Sequence, residues 1–311
     1  MEVVRELDNF SGSDKPLYLA LGNFDGVHRG HQKLFHELVH KAKSGQGIAA
    51  AFIFDPHPIK ILRPDKAPKL LATPERQAQL FSEAGIELLI YATFNREISC
   101  WSPEEFVEKI LVNRLNTKEA FVGFNYSFGY KGAGTPDYLK KLGEKHGFGV
   151  NIIPPVEING EVVSSSLIRQ ALERGDIVYA REMLGYYPLI SGRVIEGEHR
   201  GATIGFPTAN LGVGADFNVP GKGVYAARAV LNDRCYKAAI NIGNKPTFHD
   251  EYPTSIEAHL IDFEQQIYGE ELSLFFIEKI RNEKKFDSFQ ELVEQIKLDR
   301  EKVIDLVSLN C

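Results

Sequence analysis

Gly22-Asn23-Phe24-Asp25-Gly26-Val27-His28-Arg29-Gly30-His31 decides how the chain is read, because of what flanks it. The apolar run Leu17-Tyr18-Leu19-Ala20-Leu21 precedes it, and Gln32-Lys33-Leu34-Phe35 follows with helical apolar spacing. A strand, a glycine-rich turn and a helix start are the usual setting for holding a phosphate. The glycines let the backbone approach a ligand, and the helix N-terminus adds N–H groups and the positive end of its dipole. His28 and His31 share a helix face with Arg29 between them. Each can donate hydrogen bonds to phosphate oxygens as charge grows on a departing pyrophosphate. A lone H-x-G-H would be read as a plain β–α turn. The flanking strand and helix, with Asp25-Gly26 inside, favour a nucleotide site.

Outward from that stretch, β-like runs alternate with helical patterns from residue 16 to about 155. The expected strands are Leu17–Leu21, Ile48–Phe54, Leu88–Phe94, Ala120–Phe124 and Val150–Ile153. Thr73-Pro74-Glu75 and Ser102-Pro103-Glu104-Glu105 carry helix-start chemistry, the second with a capping-box glutamate. Alternation of this kind implies a parallel sheet with helices on both faces, whose ligands sit at the carboxyl ends of the strands. Ser164-Ser165-Ser166 then starts a short helix to Glu173, and Asp176 starts another that stops at Gly185. From about residue 188, Gly192–Ile195, Gly223–Val230, Tyr236–Ile242, Ser255–Asp262 and Leu272–Ile280 succeed one another with short turns. Closely spaced strands suggest an antiparallel barrel or sandwich. Ser288-Phe289-Gln290-Glu291 opens a closing helix to about Val307. The expectation is two domains, 1–185 and 186–311.

At 311 residues the chain is long enough for two cores. A net charge of −6 argues against broad nucleic-acid binding. Cys100, Cys235 and Cys311 are far apart in sequence, form no metal or redox motif, and suit a reducing compartment. The chain opens with no basic-then-apolar leader, and its apolar runs are too short to span a bilayer. A cytoplasmic protein with no nucleic-acid or membrane partner is expected.

Several motifs have two readings. His36-Glu37-Leu38-Val39-His40 matches a zinc-protease pattern. At 100° per residue, however, Leu34, Phe35, Leu38, Val39 and Ala42 form one apolar arc and the two histidines lie opposite it. Phe54-Asp55-Pro56-His57-Pro58 is either a plain strand exit or a wall of the nucleotide pocket. Its prolines fix the chain direction. Gly123-Phe124-Asn125-Tyr126-Ser127-Phe128-Gly129 is either a ring-stacking loop or an aromatic core edge. Arg169, one turn into the helix opened by the serines, opposes the helix dipole unless an anion lies nearby. Gly201-Ala202-Thr203-Ile204-Gly205-Phe206-Pro207-Thr208-Ala209-Asn210 ends in hard oxygen donors suited to Mg²⁺ carrying ATP phosphates. Glu257 alternates with Ser255 and His259, and by itself it reads as an exposed strand residue.

Together these motifs resemble the prokaryotic bifunctional riboflavin kinase/FAD synthetases, over nearly the whole chain and in the family's order. They are G-x-F-D-G-x-H-x-G-H, F-x-P-x-P, the Gly123–Gly129 loop and S-S-S-x-I-R. After them come G-F-P-T-A-N, Gly223-Val224-Tyr225, Asn241-Ile242-Gly243 with Pro246-Thr247-Phe248, and S-I-E-x-H. The resemblance implies a Rossmann-like α/β nucleotidyltransferase domain, followed by an antiparallel β-barrel flavokinase domain with a C-terminal helix. It implies phosphorylation of riboflavin to FMN in the second domain. It also implies adenylylation of FMN to FAD in the first, with ATP as co-substrate and Mg²⁺ as cofactor. His28, His31 and Arg169 match the family's adenylyl-transfer residues, helped by Ser165 and Ser166. Gly22, Asn23, Phe24, Asp25, Gly26, Phe54, Pro56, Pro58 and Asn125 would shape the nucleotide and flavin pocket. Gly205, Phe206, Pro207, Thr208 and Asn210 match the kinase loop, with Thr208 and Asn210 at the metal and Glu257 as the base. Three positions depart from the pattern: Asn125 for a frequent aspartate, Ser166 for threonine, and Ala202 for an arginine, so that this kinase would either bind ATP more weakly or use Arg200. The rivals are a one-reaction enzyme with a dormant domain and a nucleotide-binding regulator without catalysis.

Overall fold

The computed structural model describes residues 1–197, 201, 205–244 and 254–309. By packing, the chain divides into two compact units. The first comprises 1–68 and 73–164, the second 69–72 and 165–311.

The first unit is built on a six-stranded sheet. Its strands are β1 (Glu2–Arg5), β2 (Leu17–Leu21), β3 (Ile48–Asp55), β4 (Leu88–Thr93), β5 (Thr117–Gly123) and β6 (Gly149–Ile153). Their order is β1-β4-β3-β2-β5-β6, and every pairing is parallel. All five residues of β2 are buried, as a central strand covered on both faces requires. Leu17, Leu19 and Leu21 join a core with Phe106, Leu111, Leu139 and Phe148. The opposite side is filled from α1 (Arg29–Ser44), whose Phe35 ring meets Phe81 edge-on at 5.0 Å. Phe81 comes from a later helix, Pro74–Glu83.

The helix starts follow local chemistry. Thr73 accepts from Arg76 N, and Ser102 and Glu105 form the reciprocal capping box. On α1, Leu34, Phe35, Leu38 and Ala42 are buried, while His36 and His40 are exposed. In this unit β1 and one small hairpin have no counterpart among the expected elements. β1 is four residues long with only two valines, and it is recruited by pairing with β4. The hairpin of β7 (Glu157–Ile158) and β8 (Glu161–Val162) turns on Asn159 and Gly160, both at positive φ.

The sheet's order reverses at β2, whose neighbours β3 and β5 lead to opposite edges. Ligands of open parallel sheets bind at the carboxyl ends of strands flanking such a point. The turn Gly22–His28 leaves β2 there. Ala20 pairs with Phe121, so continuing that register puts the exits at Gly22 and Gly123 side by side.

In the second unit, β9 (Leu189–Ile195), β10 (Ala209–Gly212), β11 (Gly223–Leu231), β12 (Arg234–Asn244), β13 (Thr254–Leu260) and β14 (Glu271–Arg281) close into a barrel. Their order is β10-β13-β12-β11-β14-β9, and all pairings are antiparallel. Of the two expected alternatives, the closed barrel is therefore the one observed. Tyr225, Ala227, Ala238, Ile240, Ile242, Ala258, Leu274 and Phe276 are fully buried within it. A C-terminal helix (Phe289–Leu306), capped by Ser288, lays Val303 and Val307 against Ala226 and Ile261.

Two further helices, Ser165–Arg174 and Ile177–Leu184, precede the barrel. The sequence expectation put them with the first domain; packing puts them with the barrel. Gly221 N donates to Leu172 O at 2.8 Å, an approach that only a residue without Cβ permits. Their limits follow the expected signals, with Asp176 accepting from Tyr179 N and Gly185 left-handed at the C-terminus.

Candidate functional site

The glycine-rich turn of the first unit is shaped by three unusual backbone positions. Phe24 has φ +52°, Gly26 +76° and Val27 +36°. A left-handed phenylalanine and a left-handed β-branched valine are both strained. The surroundings hold them in place. Val27 N donates to Phe24 O at 3.0 Å, and Gln32 Nε2 donates to Val27 O at 2.8 Å. Gln77, from the helix Pro74–Glu83, donates Nε2 to the carbonyls of Asn23 (2.9 Å) and Phe24 (3.2 Å). No local pattern could have identified Gln77, because it lies 54 positions from Asn23.

Val27, Asp25 and His28 are buried, and Phe24 is only 2% exposed. The Phe24 ring packs on His31, Phe35 and Phe81, beneath Gly22, where a Cβ would lie 3.0 Å from the ring. Its side chain is thus a foundation, and what it presents to a ligand is main chain.

His28 is the N-cap residue of α1, but its side chain makes no capping bond. The ring instead stacks on His31, with centroids 3.7 Å apart and planes at 18°. Gly30 makes this possible: a Cβ there would stand 3.2 Å from two atoms of the His28 ring. His31 Nδ1 is buried and has no hydrogen-bond partner among the described residues. Burial, and secondarily the neighbouring His28, holds the His31 pKa well below 6.5. His31 is thus a desolvated hydrogen-bonding group whose burial disfavours its charged form.

The other expected pocket residues divide between surface and core. Phe54 packs on Phe52 and Phe94, both at 5.1 Å. The Asp55–Pro56 bond is cis, and Pro58 begins a short helix capped by His57. Asn125 is exposed just beyond the end of β5. Phe128 is buried against Phe106 and Tyr126 stacks on Phe128, so that part of the loop is core edge. Burial raises the Tyr126 pKa. Ser165, Ser166 and Arg169 lie in the second unit, on the helix that begins at Ser165. Arg169 Nε donates to Lys69 O at 2.6 Å. A carbonyl therefore already meets the cation that opposed the helix dipole.

In the barrel, Gly205–Asn210 leads into β10, and β10 lies beside β13. The register sets Asn210 opposite Glu257. Asn210 is buried, while Thr208 and Glu257 are partly exposed. Gly197 makes room for the Asn210 amide: a Cβ there would lie 2.1 Å from Nδ2 and 3.1 Å from Oδ1. A Cβ at Gly201 would lie 2.4 Å from Phe206 O and 3.3 Å from Thr208 Oγ1. A cradle cleared around a hydroxyl and an amide fits a hard divalent cation with phosphate oxygens. His259 Nδ1 donates to Pro207 O at 2.9 Å, and its ring meets Phe206 edge-on at 5.5 Å. These contacts tie the loop to β13. Burial lowers the His259 pKa, partly offset by that carbonyl. The expectations for Arg200, Ala202 and Pro246-Thr247-Phe248 lie outside the described residues.

The comparisons with known proteins match the two parts of the chain separately. Residues 11–167 match the family described as FAD synthetase, and residues 184–307 match riboflavin kinase. The bifunctional riboflavin kinase/FMN adenylyltransferase of Bacillus subtilis (strain 168) is 39% identical over 293 residues, covering 92% of this chain and 91% of its own. The Escherichia coli (strain K12) protein of the same description is 33% identical, covering 96% of each chain. A crystal structure described as a macrolide-efflux protein from Streptococcus pneumoniae superposes with a TM-score of 0.90 at 30% identity. It covers 99% of this chain and 100% of its own. Among the described residues, no helix is long and apolar enough to cross a membrane.

Proposed function

Because the chain belongs to the bifunctional riboflavin kinase/FMN adenylyltransferase family, we propose that its two reactions run on two separate sets of residues. The stacked histidines of the first unit serve adenylyl transfer, and Thr208, Asn210 and Glu257 serve phosphoryl transfer. The protein is a riboflavin kinase through its C-terminal part and an FMN adenylyltransferase through its N-terminal part. Riboflavin, FMN and ATP are accordingly its substrates. The observation that carries the assignment is that the stacked His28 and His31 lie in the first unit and Thr208, Asn210 and Glu257 in the second.

In the kinase reaction, Glu257 accepts the proton of the terminal ribityl hydroxyl as its oxygen attacks the γ-phosphorus of ATP, and ADP leaves. Phosphoryl transfer depends mainly on positioning and charge neutralisation, so the base contributes modestly. Thr208 and Asn210 would hold Mg²⁺, which supplies charge neutralisation at the phosphates when bound. In the second reaction the FMN phosphate attacks the α-phosphorus of ATP and pyrophosphate leaves. His28 and His31 donate hydrogen bonds to that leaving group, as preorganised donors in a water-poor site. Gly22–Gly26 offers main chain to the nucleotide, and Phe54, Pro56, Pro58 and Asn125 border the pocket. Arg169, Ser165 and Ser166 are assigned to this reaction by family resemblance. The adenylyl-transfer region thus extends through residue 185, although those helices pack with the barrel. We place the protein in the cytoplasm, as suits a metabolic enzyme with no membrane-crossing helix among the described residues.

The test follows both products. Protein is incubated with riboflavin, ATP and Mg²⁺, and the flavins are separated. Joint replacement His28→Ala and His31→Ala should abolish FAD while FMN accumulates. Glu257→Ala should lose most FMN formation yet still convert supplied FMN to FAD. Loss of both activities from either change in a folded protein would sink the two-site assignment. Chelation of divalent cations should stop both reactions, with Mg²⁺ restoring them.

A further inference from the structure

We propose that Glu283, on the segment between β14 and the C-terminal helix, binds the internal ribityl hydroxyls of riboflavin. The inference rests on the reading of Glu257 as the base, because that reading fixes where the attacking hydroxyl lies. The barrel's register supplies the rest. β13 sets Glu257 opposite both Asn210 and Asn241, His259 opposite Ala239, and Ser255 opposite Gly243. Directly paired residues of antiparallel strands project from one face, and so do alternate residues along each strand. His259, Glu257, Ser255 and Gly243 therefore share a face, while Ile240, Ile242, Ile256 and Ala258 are almost fully buried on the other. The Glu283 carboxylate lies over the shared face. A Cβ at Gly243 would stand 2.6 Å from Glu283 Oε1 and 3.6 Å from Ser255 Oγ, so the missing side chain is what leaves room for the carboxylate.

The two ends of this face differ. At one end His259 Nδ1 is bonded to Pro207 O, so that end belongs to the Gly205–Asn210 loop assigned to ATP and its metal. In-line transfer keeps the attacking and leaving oxygens on opposite sides of the γ-phosphorus. With the terminal hydroxyl at Glu257, the rest of the ribityl chain therefore runs away from that loop, toward Gly243 and Glu283. Same-face neighbours on a strand lie about 6.5 Å apart, a distance the ribityl carbons can bridge. Glu283 is exposed and makes no hydrogen bond or ion pair among the described residues. Its neighbour Lys284 is turned to the Phe286 ring, 5.5 Å from the centroid. An ionised carboxylate only accepts hydrogen bonds, and hydroxyl donors suit it.

The test compares the full-length parent with Glu283→Ala, Glu283→Gln and Glu257→Ala by steady-state FMN formation. Thermal melting and conversion of supplied FMN to FAD are the fold controls. A second flavin, whose ribityl chain is replaced by a pentyl chain carrying only the terminal hydroxyl, is measured as a competitive inhibitor. We expect Glu283→Ala to raise KM for riboflavin about tenfold with kcat nearly unchanged, and Glu283→Gln to raise it less. The inhibition constant of the pentyl flavin should stay within about twofold across the parent and both Glu283 variants. A merely structural Glu283 would weaken both flavins alike. If Glu257→Ala retains FMN formation, the base assignment fails and this proposal with it. If Glu257→Ala is inactive but Glu283→Ala keeps KM for riboflavin within about twofold of the parent, or weakens both flavins equally, Glu283 alone is overturned.

Discussion

His28 and His31 lie ring on ring, 3.7 Å between centroids and 18° from parallel, at the start of the helix that leaves the sheet's switch point. Two imidazolium ions cannot share that spacing cheaply. Burial has already pushed the His31 pKa well below its ordinary 6.5.

That displacement makes stability depend on pH with a definite sign. Below pH 6.5 the unfolded chain takes up a proton at His31 that the folded chain refuses. Stability is therefore full above pH 6.5 and falls as the pH drops toward the folded value. Between the two pKa values the loss approaches about 1.4 kcal/mol per pH unit. Melting curves of the parent and His31→Phe from pH 7.5 to 5.5 check it. The parent should lose stability faster than the variant, and parallel curves would refute the linkage.

Gly30→Ala separates the site from the fold. Alanine is the better helix former by about 0.5–1 kcal/mol, so the melting temperature should hold or rise. The new Cβ would stand 3.2 Å from the His28 ring, and the stack must shift. FAD formation should drop at least several-fold, with FMN formation unchanged. A fully active variant would show that the stack has no catalytic importance.

Gln77→Leu removes both hydrogen bonds to the Asn23 and Phe24 carbonyls. The strained turn then loses an anchor worth about 1 kcal/mol per bond. The expected result is a rise in KM for ATP in FAD synthesis larger than any fall in kcat, with riboflavin phosphorylation untouched. A purely structural Gln77 would alter melting alone.

Arg281 and Asp299 join the barrel to the C-terminal helix. Arg281 Nε and Nη2 reach the carboxylate at 2.9 and 2.8 Å, Gln295 adds a third donor, and Asp299 is 3% exposed. Arg281→Met leaves that carboxylate buried without its cation and should cost about 3–5 kcal/mol. The double change Arg281→Met with Asp299→Leu should recover much of it. Denaturant unfolding of the two variants decides the point; equal losses would mean that the pair itself, and not the stranded charge, sets the cost.

Much of this molecule is legible in one dimension because its signals are short-range. The strand–glycine–helix order around Gly22–His31, the cap residues Thr73, Ser102, Asp176 and Ser288, and the apolar arc of α1 each involve neighbours within a turn or two. The elements that escaped were those with weak local signals. Glu2–Arg5 becomes a strand only by pairing with β4, and Ala209–Gly212, readable as a loop motif, becomes one between β9 and β13. The helices at Ser165–Leu184 pack with the barrel, and nothing in their own residues says which core their buried faces join.

By itself, then, the sequence determined which chemical groups are available, and the order of strand, turn and helix that carries them. Backbone geometry and hydrophobic periodicity act over a few residues, so they can be read directly. Only the tertiary structure decided which of those groups share a face. Gln77 reaches the turn from 54 positions away, and Asn210, Glu257 and Asn241 fall into one row because two strand pairings adopt a particular register. Register depends on the packing of the whole barrel, since a slip of one residue would turn every side chain to the other face. The opening stretch was therefore readable as a strand, a glycine-rich turn and a helix start. The stacking of its two histidines, and the neutral state burial imposes on His31, belong to the folded molecule.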